Sequence, residues 1–128
     1  MSATAGIASE TGFEVSGSDS KAIYDPAKSV LDTHGIEYRT GYSEENVSGS
    51  GADLFIASAG EGMDNPEVAY LRENDLPLHS LSEFLGALAE EKLRIVVAGT
   101  HGKSTTAGML GVTLEHIDDS SFMTGAIL

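Results

Sequence analysis

The chain has 128 residues, room for one ordinary domain with a modest core. Seven basic residues face twenty acidic ones, and the net charge of -13 argues against nonspecific nucleic-acid binding, which needs Lys and Arg to displace counterions. There is no cysteine, so disulfides and thiolate metal sites are excluded; no apolar run approaches the roughly 20 residues of a membrane span, and "MSATAGIASETG" lacks the basic start and apolar core of a signal peptide, which leaves the cytoplasm as the default.

Taken in chain order, Ala3 to Thr11 reads as a short helix stopped by Gly12. "FEVSGSD" alternates apolar and polar residues as a strand and ends in a turn at Gly17-Ser18-Asp19. "DPAKSVLDTHG" reads as a helix with Asp25 as N-cap, Pro26 at its first position and Gly35 closing it. "IEYRT" is a strand, and "GYSEENVSGSGA" is mostly loop with room for one helical turn. "DLFIASA" has the apolar run of a strand buried on both faces. "NPEVAYLREN" is a helix with Asn65 as cap, Pro66 first and Glu67 in the first turn.

"LPLHS" is a short strand and "LSEFLGALAEE" a helix capped by Ser80 or Ser82. Past the acidic pair Glu90-Glu91, Lys92 marks a domain boundary, dividing the chain into 1–91 and 92–128. "LRIVVAG" reads as another buried strand, "GKSTTAGMLGVTLEH" as a helix, and "SSFMTGAIL" as the start of a further strand. Alternating strand and helix predict an α/β fold, a parallel sheet with helices on both faces. Phe13, Val15, Leu54, Phe55, Ile56, Ile95, Val96 and Val97 read as core, and Met63, Met109 and Met123 as gap-fillers.

The richest stretch is "VVAGTHGKSTTAGML". A strand running into a glycine-flanked turn and then a helix aims several backbone N–H groups at one spot, and the helix N-terminus adds partial positive charge. Lys103 would meet outer phosphates, Ser104 would offer a hydroxyl to Mg²⁺, and Gly99 and Gly102 would allow close backbone approach. The usual G-x-x-x-x-G-K-[ST] spacing is not met, because its first glycine would fall at Val97. His101 is either a phosphate or substrate contact or a solvent-facing loop residue. Thr105 and Thr106 either donate to phosphate or serve the helix start.

On these residues the sequence resembles the Mur ligase family, ATP-dependent enzymes that add amino acids or peptides to UDP-N-acetylmuramate. The shortened loop G-T-H-G-K-S-T is similar to that family's phosphate loop, which accounts for the altered spacing. "GFEVSGSD", "DLFIASAGEGMDNPEV", "LPLHSLSEFLGAL" and "LEHIDDSSFMTGAIL" resemble family segments in the same order, so the likeness covers nearly the whole chain. Its muramate-binding branch fits best, adding either L-alanine, which the reading slightly favours, or a murein tripeptide.

The resemblance implies a Rossmann-like UDP-sugar domain over 1–91 and the first strand, phosphate loop and helix of an ATP-binding P-loop domain over 92–128. It implies ATP bound by Gly99, Thr100, His101, Gly102, Lys103, Ser104 and Thr105, Mg²⁺ at Ser104, and Lys103 as the catalytic charge. It also places Ser18, Asp19, Ser58, Ala59 and Gly60 on the nucleotide sugar. An acid ending the second strand of a doubly wound sheet reaches a ribose hydroxyl, although Asp19 is also a natural turn residue, and Ser58–Gly60 read equally as an ordinary strand-to-helix loop. Asn65 reads as a helix cap, His34 and His116 as structural, and His79, which ends its strand, as a structural residue ahead of a ligand contact.

The family opens with a strand and a glycine-rich pyrophosphate loop that have no counterpart before Met1-Ser2, and most of its ATPase domain has none after Leu128. The resemblance therefore implies a piece of a ligase, inactive alone, whose loss of a central strand leaves a gap in the sheet. A rival expectation is a non-catalytic nucleotide- or UDP-sugar-binding module.

Overall fold

The computed structural model describes residues 1–117, so the expected strand in "SSFMTGAIL" lies outside the described residues. The chain divides into two compact units, Met1–Glu91 and Lys92–Leu128. In the first unit, α1 (Ser2–Glu10), β1 (Ser16–Asp19), α2 (Ala27–Thr33), β2 (Glu37–Thr40), α3 (Glu44–Ser48), β3 (Phe55–Ala57), α4 (Pro66–Glu73), β4 (Leu78–Ser80) and α5 (Leu81–Leu88) follow in order. The described part of the second unit has one regular element, α6 (Lys103–Glu115).

Several helix ends follow from single side chains. The Asn65 side chain accepts from the Glu67 N–H at 2.9 Å, and Pro66 occupies the first helical turn, where its missing N–H costs nothing. α5 starts with a full capping box: Ser80 Oγ accepts from the Glu83 N–H at 3.2 Å, and Glu83 Oε2 accepts from the Ser80 N–H at 2.7 Å. α2 begins one residue later than expected, with Pro26 itself at the cap. Asp25 still serves the helix start, because its Oδ1 accepts from the N–H and hydroxyl of Ser29.

The strands pair in parallel, as the alternation predicts, but as two separate two-stranded sheets. Ser16–Asp19 of β1 runs in register with Glu37–Thr40 of β2, and Phe55–Ala57 of β3 with Leu78–Ser80 of β4. No ladder joins β1 to β3 among the described residues. Two-stranded sheets are marginal alone, so the helices supply the packing: α1 against α2, α3 against α4, and α5 against both β3 and β4. Gly6 allows the first of these contacts, since a Cβ there would lie 3.0 Å from His34 Nε2 on the α2 side.

The core differs from expectation for the same reason. Buried apolar residues are Ala8, Leu31, Ile36, Val68, Leu71 and Phe84, all helical except Ile36. Leu54, Phe55 and Ile56 are only half-buried, because a two-stranded sheet cannot enclose a strand on both faces. Phe13 is exposed and precedes β1, although its ring meets Phe84 edge-on with centroids 5.9 Å apart. Met63 and Met109 are exposed rather than filling gaps.

The largest correction is in the second unit. "LRIVVAG" forms no strand: Leu93 is 93% and Val96 85% exposed, and Ile95 is exposed as well. A strand is fixed by its neighbours' hydrogen bonds, and no described segment ladders with this one.

Candidate functional site

Parallel pairing puts the carboxyl ends of β1 and β2 on one side of their sheet, and those of β3 and β4 on one side of theirs. In open α/β sheets this is the side on which ligands bind. Ser18 and Asp19 close β1, Gly41–Ser43 follow β2, and Ser58–Gly60 follow β3.

Glu67, in the first turn of α4, joins the first two of these places. It is only 7% exposed. Its Oε2 accepts from Ser18 Oγ at 2.5 Å, and its Oε1 from Asn46 Nδ2 at 2.6 Å and the Ser43 N–H at 3.3 Å. Asn46 Nδ2 also donates to the Gly41 carbonyl, and Asn46 Oδ1 accepts from Arg39. The Gly41 N–H in turn donates to the Asp19 carbonyl. One buried carboxylate thus collects donors from the end of β1, from Ser43 just before α3 and from Asn46 within α3.

A second acid lies beside it. Glu61 Oε2 accepts from Asn65 Nδ2 at 2.9 Å, and its Oε1 accepts from the Tyr42 hydroxyl at 3.0 Å. Burial, then the Glu61 hydrogen bond and charge, push the Tyr42 phenol above its ordinary value, and the nearby Asp19 charge acts in the same direction.

Of the residues the sequence singles out here, Ser18 is tied to Glu67. Asp19 is a turn residue in its contacts: its Oδ1 accepts from the Lys21 N–H and the Ser20 hydroxyl. Ser58 and Ala59 line an open cleft of about 510 Å³ together with Glu61, Arg72, Ser80 and Glu83, whereas Gly60 is not on its wall. Exposed His79 lies on β4 and lines the same cleft. Asn65 is a cap, as expected, and also holds Glu61. His34 sits at the end of α2, 3.7 Å from Glu10, and His116 bonds the Val112 carbonyl at the end of α6.

Sequence reasoning missed Glu67, Asn46, Ser43, Glu61 and Tyr42 as a group. Glu67 reads as an ordinary first-turn acid, and only its spacing one residue after Asn65-Pro66 marks it as fixed rather than solvated.

The second unit holds the glycine loop. Gly102 caps α6 with φ +74°, a left-handed conformation that glycine adopts without strain. Nothing lies within 4 Å of a Cβ built there, so conformation rather than space asks for glycine. α6 has 13 residues and no acid in its first turn, so no side-chain charge there offsets its partial positive end. Lys103 Nζ donates to the loop's own carbonyls, Gly99 at 2.6 Å and Thr100 at 3.2 Å. Thr100, His101, Ser104 and Thr105 are exposed. Among the described residues no group of three or more His, Asp or Glu is placed to hold a metal.

Comparison with known proteins gives a consistent picture. The family model described as "Mur ligase family, catalytic domain" matches residues 1–93. The chain is 38% identical to the UDP-N-acetylmuramate–L-alanine ligase of Clostridium acetobutylicum, over all of this chain and 28% of that protein. It is 36% identical to the same-named ligase of Dictyoglomus turgidum, over 99% of this chain and 27% of the relative. The crystal structure of UDP-N-acetylmuramate:L-alanyl-gamma-D-glutamyl-meso-diaminopimelate ligase from Neisseria meningitides superposes with a TM-score of 0.82 at 34% identity. That match covers 91% of this chain and 36% of that one. The chain therefore spans a little over a quarter of the length of these sequence relatives.

Proposed function

The chain belongs to the Mur ligase family, and from that premise we propose that it carries the nucleotide-sugar site and the phosphate loop of a peptidoglycan-precursor ligase. The proposed reaction joins an amino acid, L-alanine by the relatives' names, or a peptide to UDP-N-acetylmuramate. The observation that carries the reading is the Glu67 cluster, which gathers the end of β1, the β2–α3 connection and the start of α4 where an α/β sheet binds its ligand. In this reading Ser18, Asp19, Ser58, Ala59 and Gly60 face the nucleotide sugar, with Asp19 turned to a ribose hydroxyl.

The glycine loop fits phosphate in its chemistry: a left-handed glycine, a helix start without acids, and a lysine. ATP would be held by Gly99–Thr105, with the Ser104 hydroxyl toward Mg²⁺. ATP, when bound, supplies the phosphoryl group that activates the sugar's carboxylate. Lys103, which now donates to two loop carbonyls, would turn its charge to phosphate oxygens there. The family setting makes this cytoplasmic chemistry.

A second reading, a module that binds UDP-sugar without catalysis, draws on the exposure of Leu93–Val96, which leaves the phosphate loop without a laddered strand before it. Calorimetric titration of UDP-N-acetylmuramate into the purified chain, followed by incubation with ATP, Mg²⁺ and L-alanine, tests both. Binding of the sugar nucleotide without amide product is expected. No binding overturns the site, and amide formation overturns the expectation that these 128 residues are inactive alone.

A further inference from the structure

We propose that Glu67 is a positioning residue that fixes the hydrogen-bond polarity of Ser18, making that hydroxyl an acceptor toward the ligand. The proposal rests on the nucleotide-sugar reading above. The Ser18 hydroxyl donates to Glu67 Oε2, 2.5 Å away, and a hydroxyl has a single hydrogen to give. What Ser18 keeps is its lone pairs. A hydroxyl presented in that state binds a donor and is a poor neighbour for a phosphate oxygen. A uridine nucleotide carries two kinds of donor, the uracil N3–H and its ribose hydroxyls, and in a doubly wound sheet it is the ribose that lies beside the end of such a strand.

The arrangement is built to hold that polarity. Glu67 is buried, and no ion pair involves it among the described residues. Its other oxygen is occupied by Asn46 Nδ2 and the Ser43 N–H, which keeps the carboxylate from turning away from Ser18. The Glu67 N–H is itself held by Asn65 Oδ1, so the side chain starts from a fixed helix cap. Since β1 and β3 share no ladder, the Ser18–Glu67 bond also sets where the end of β1 stands relative to α4.

The test compares binding of UDP and of 2′,3′-dideoxy-UDP to the purified chain, with melting temperature measured alongside. The unmodified chain should prefer UDP. Ser18→Ala should lower that preference about tenfold, the equivalent of about 1.4 kcal/mol. Glu67→Gln should lower it by a similar factor, because its amide can donate to Ser18 and free or reverse the hydroxyl. Glu67→Asp should restore part of the preference, and Ser18→Ala combined with Glu67→Gln should lose no more than either alone. A Glu67→Gln chain that melts lower but keeps the full preference overturns the proposal and leaves Glu67 structural. Should Glu67→Gln not fold, Ser18→Ala decides: an unchanged preference overturns the proposal. An unmodified chain that binds neither nucleotide overturns the nucleotide-sugar reading, and this inference with it.

Discussion

The two candidate sites are built in opposite ways. Around Glu67, the side chains of buried Asn65 and half-buried Asn46 and Ser18 satisfy one another before any ligand arrives. In the glycine loop, Gly99 to Thr106 are all exposed, and among the described residues the lysine's hydrogen bonds go to the loop's own carbonyls. The difference lies in what each needs from the rest of the chain. Caps and polar hubs form from neighbours within one unit, as the first unit supplies. A phosphate loop forms at the end of a strand, and a strand exists only where another ladders with it. The first cluster is therefore preorganised, and the second is an exposed helix start.

Four substitutions sharpen or break this contrast. The largest effect should come from Phe84→Ala in the first unit: Phe84 is 6% exposed, and truncating a buried Phe costs about 3–5 kcal/mol, a large share of the stability of a small domain. Urea denaturation should show the midpoint collapse, and a small shift would mean the helix-borne core is not what holds the unit. Asn65→Ala comes next at about 1–2 kcal/mol, since it removes both a helix cap and the donor to Glu61. Thermal melts should show it; a neutral result would mean the polar cluster is decoration rather than scaffold.

A smaller effect is expected at the α5 cap, and it depends on pH. The Ser80 N–H and hydroxyl hold the Glu83 carboxyl below its ordinary value. A depressed folded-state value contributes stability that is present above the unfolded value and is lost as pH falls through the folded one. Denaturant midpoints followed from neutral pH into the carboxylate range should fall less steeply for Glu83→Gln than for the unmodified chain. Parallel curves would remove the capping box from the account. The smallest effect belongs to the second unit: Val96→Ser should change stability by less than about 0.5 kcal/mol, because Val96 is 85% exposed. A loss well above that would show Val96 buried in solution and would erase the contrast between the two sites.

What the sequence made legible follows the same line. Local chemistry could be read directly: Asn65-Pro66 as a helix start, a serine cap for α5 narrowed to Ser80 or Ser82, Gly102-Lys103 as the entry to α6. Parallel α/β alternation was also readable, because helix and strand periods differ. Burial was not. Val96 and Phe55 carry the same apolar signature, yet one is exposed and the other half-buried, since burial depends on which partners the chain provides. Glu67 was hidden for the complementary reason. A buried acid looks like a surface acid until its donors, 21 to 49 residues away in sequence, are seen. The glycine loop stood out because its residues are contiguous, while the Glu67 cluster is scattered.

The most direct measurement is a residue-resolved amide NMR map of the ¹⁵N-labelled chain titrated with UDP-N-acetylmuramate. The account predicts shifts at Ser18, Asp19, Ser43 and Ser58–Gly60, with Gly99–Thr105 unmoved. Shifts confined to the glycine loop, or none in the Glu67 cluster at saturating ligand, would contradict it.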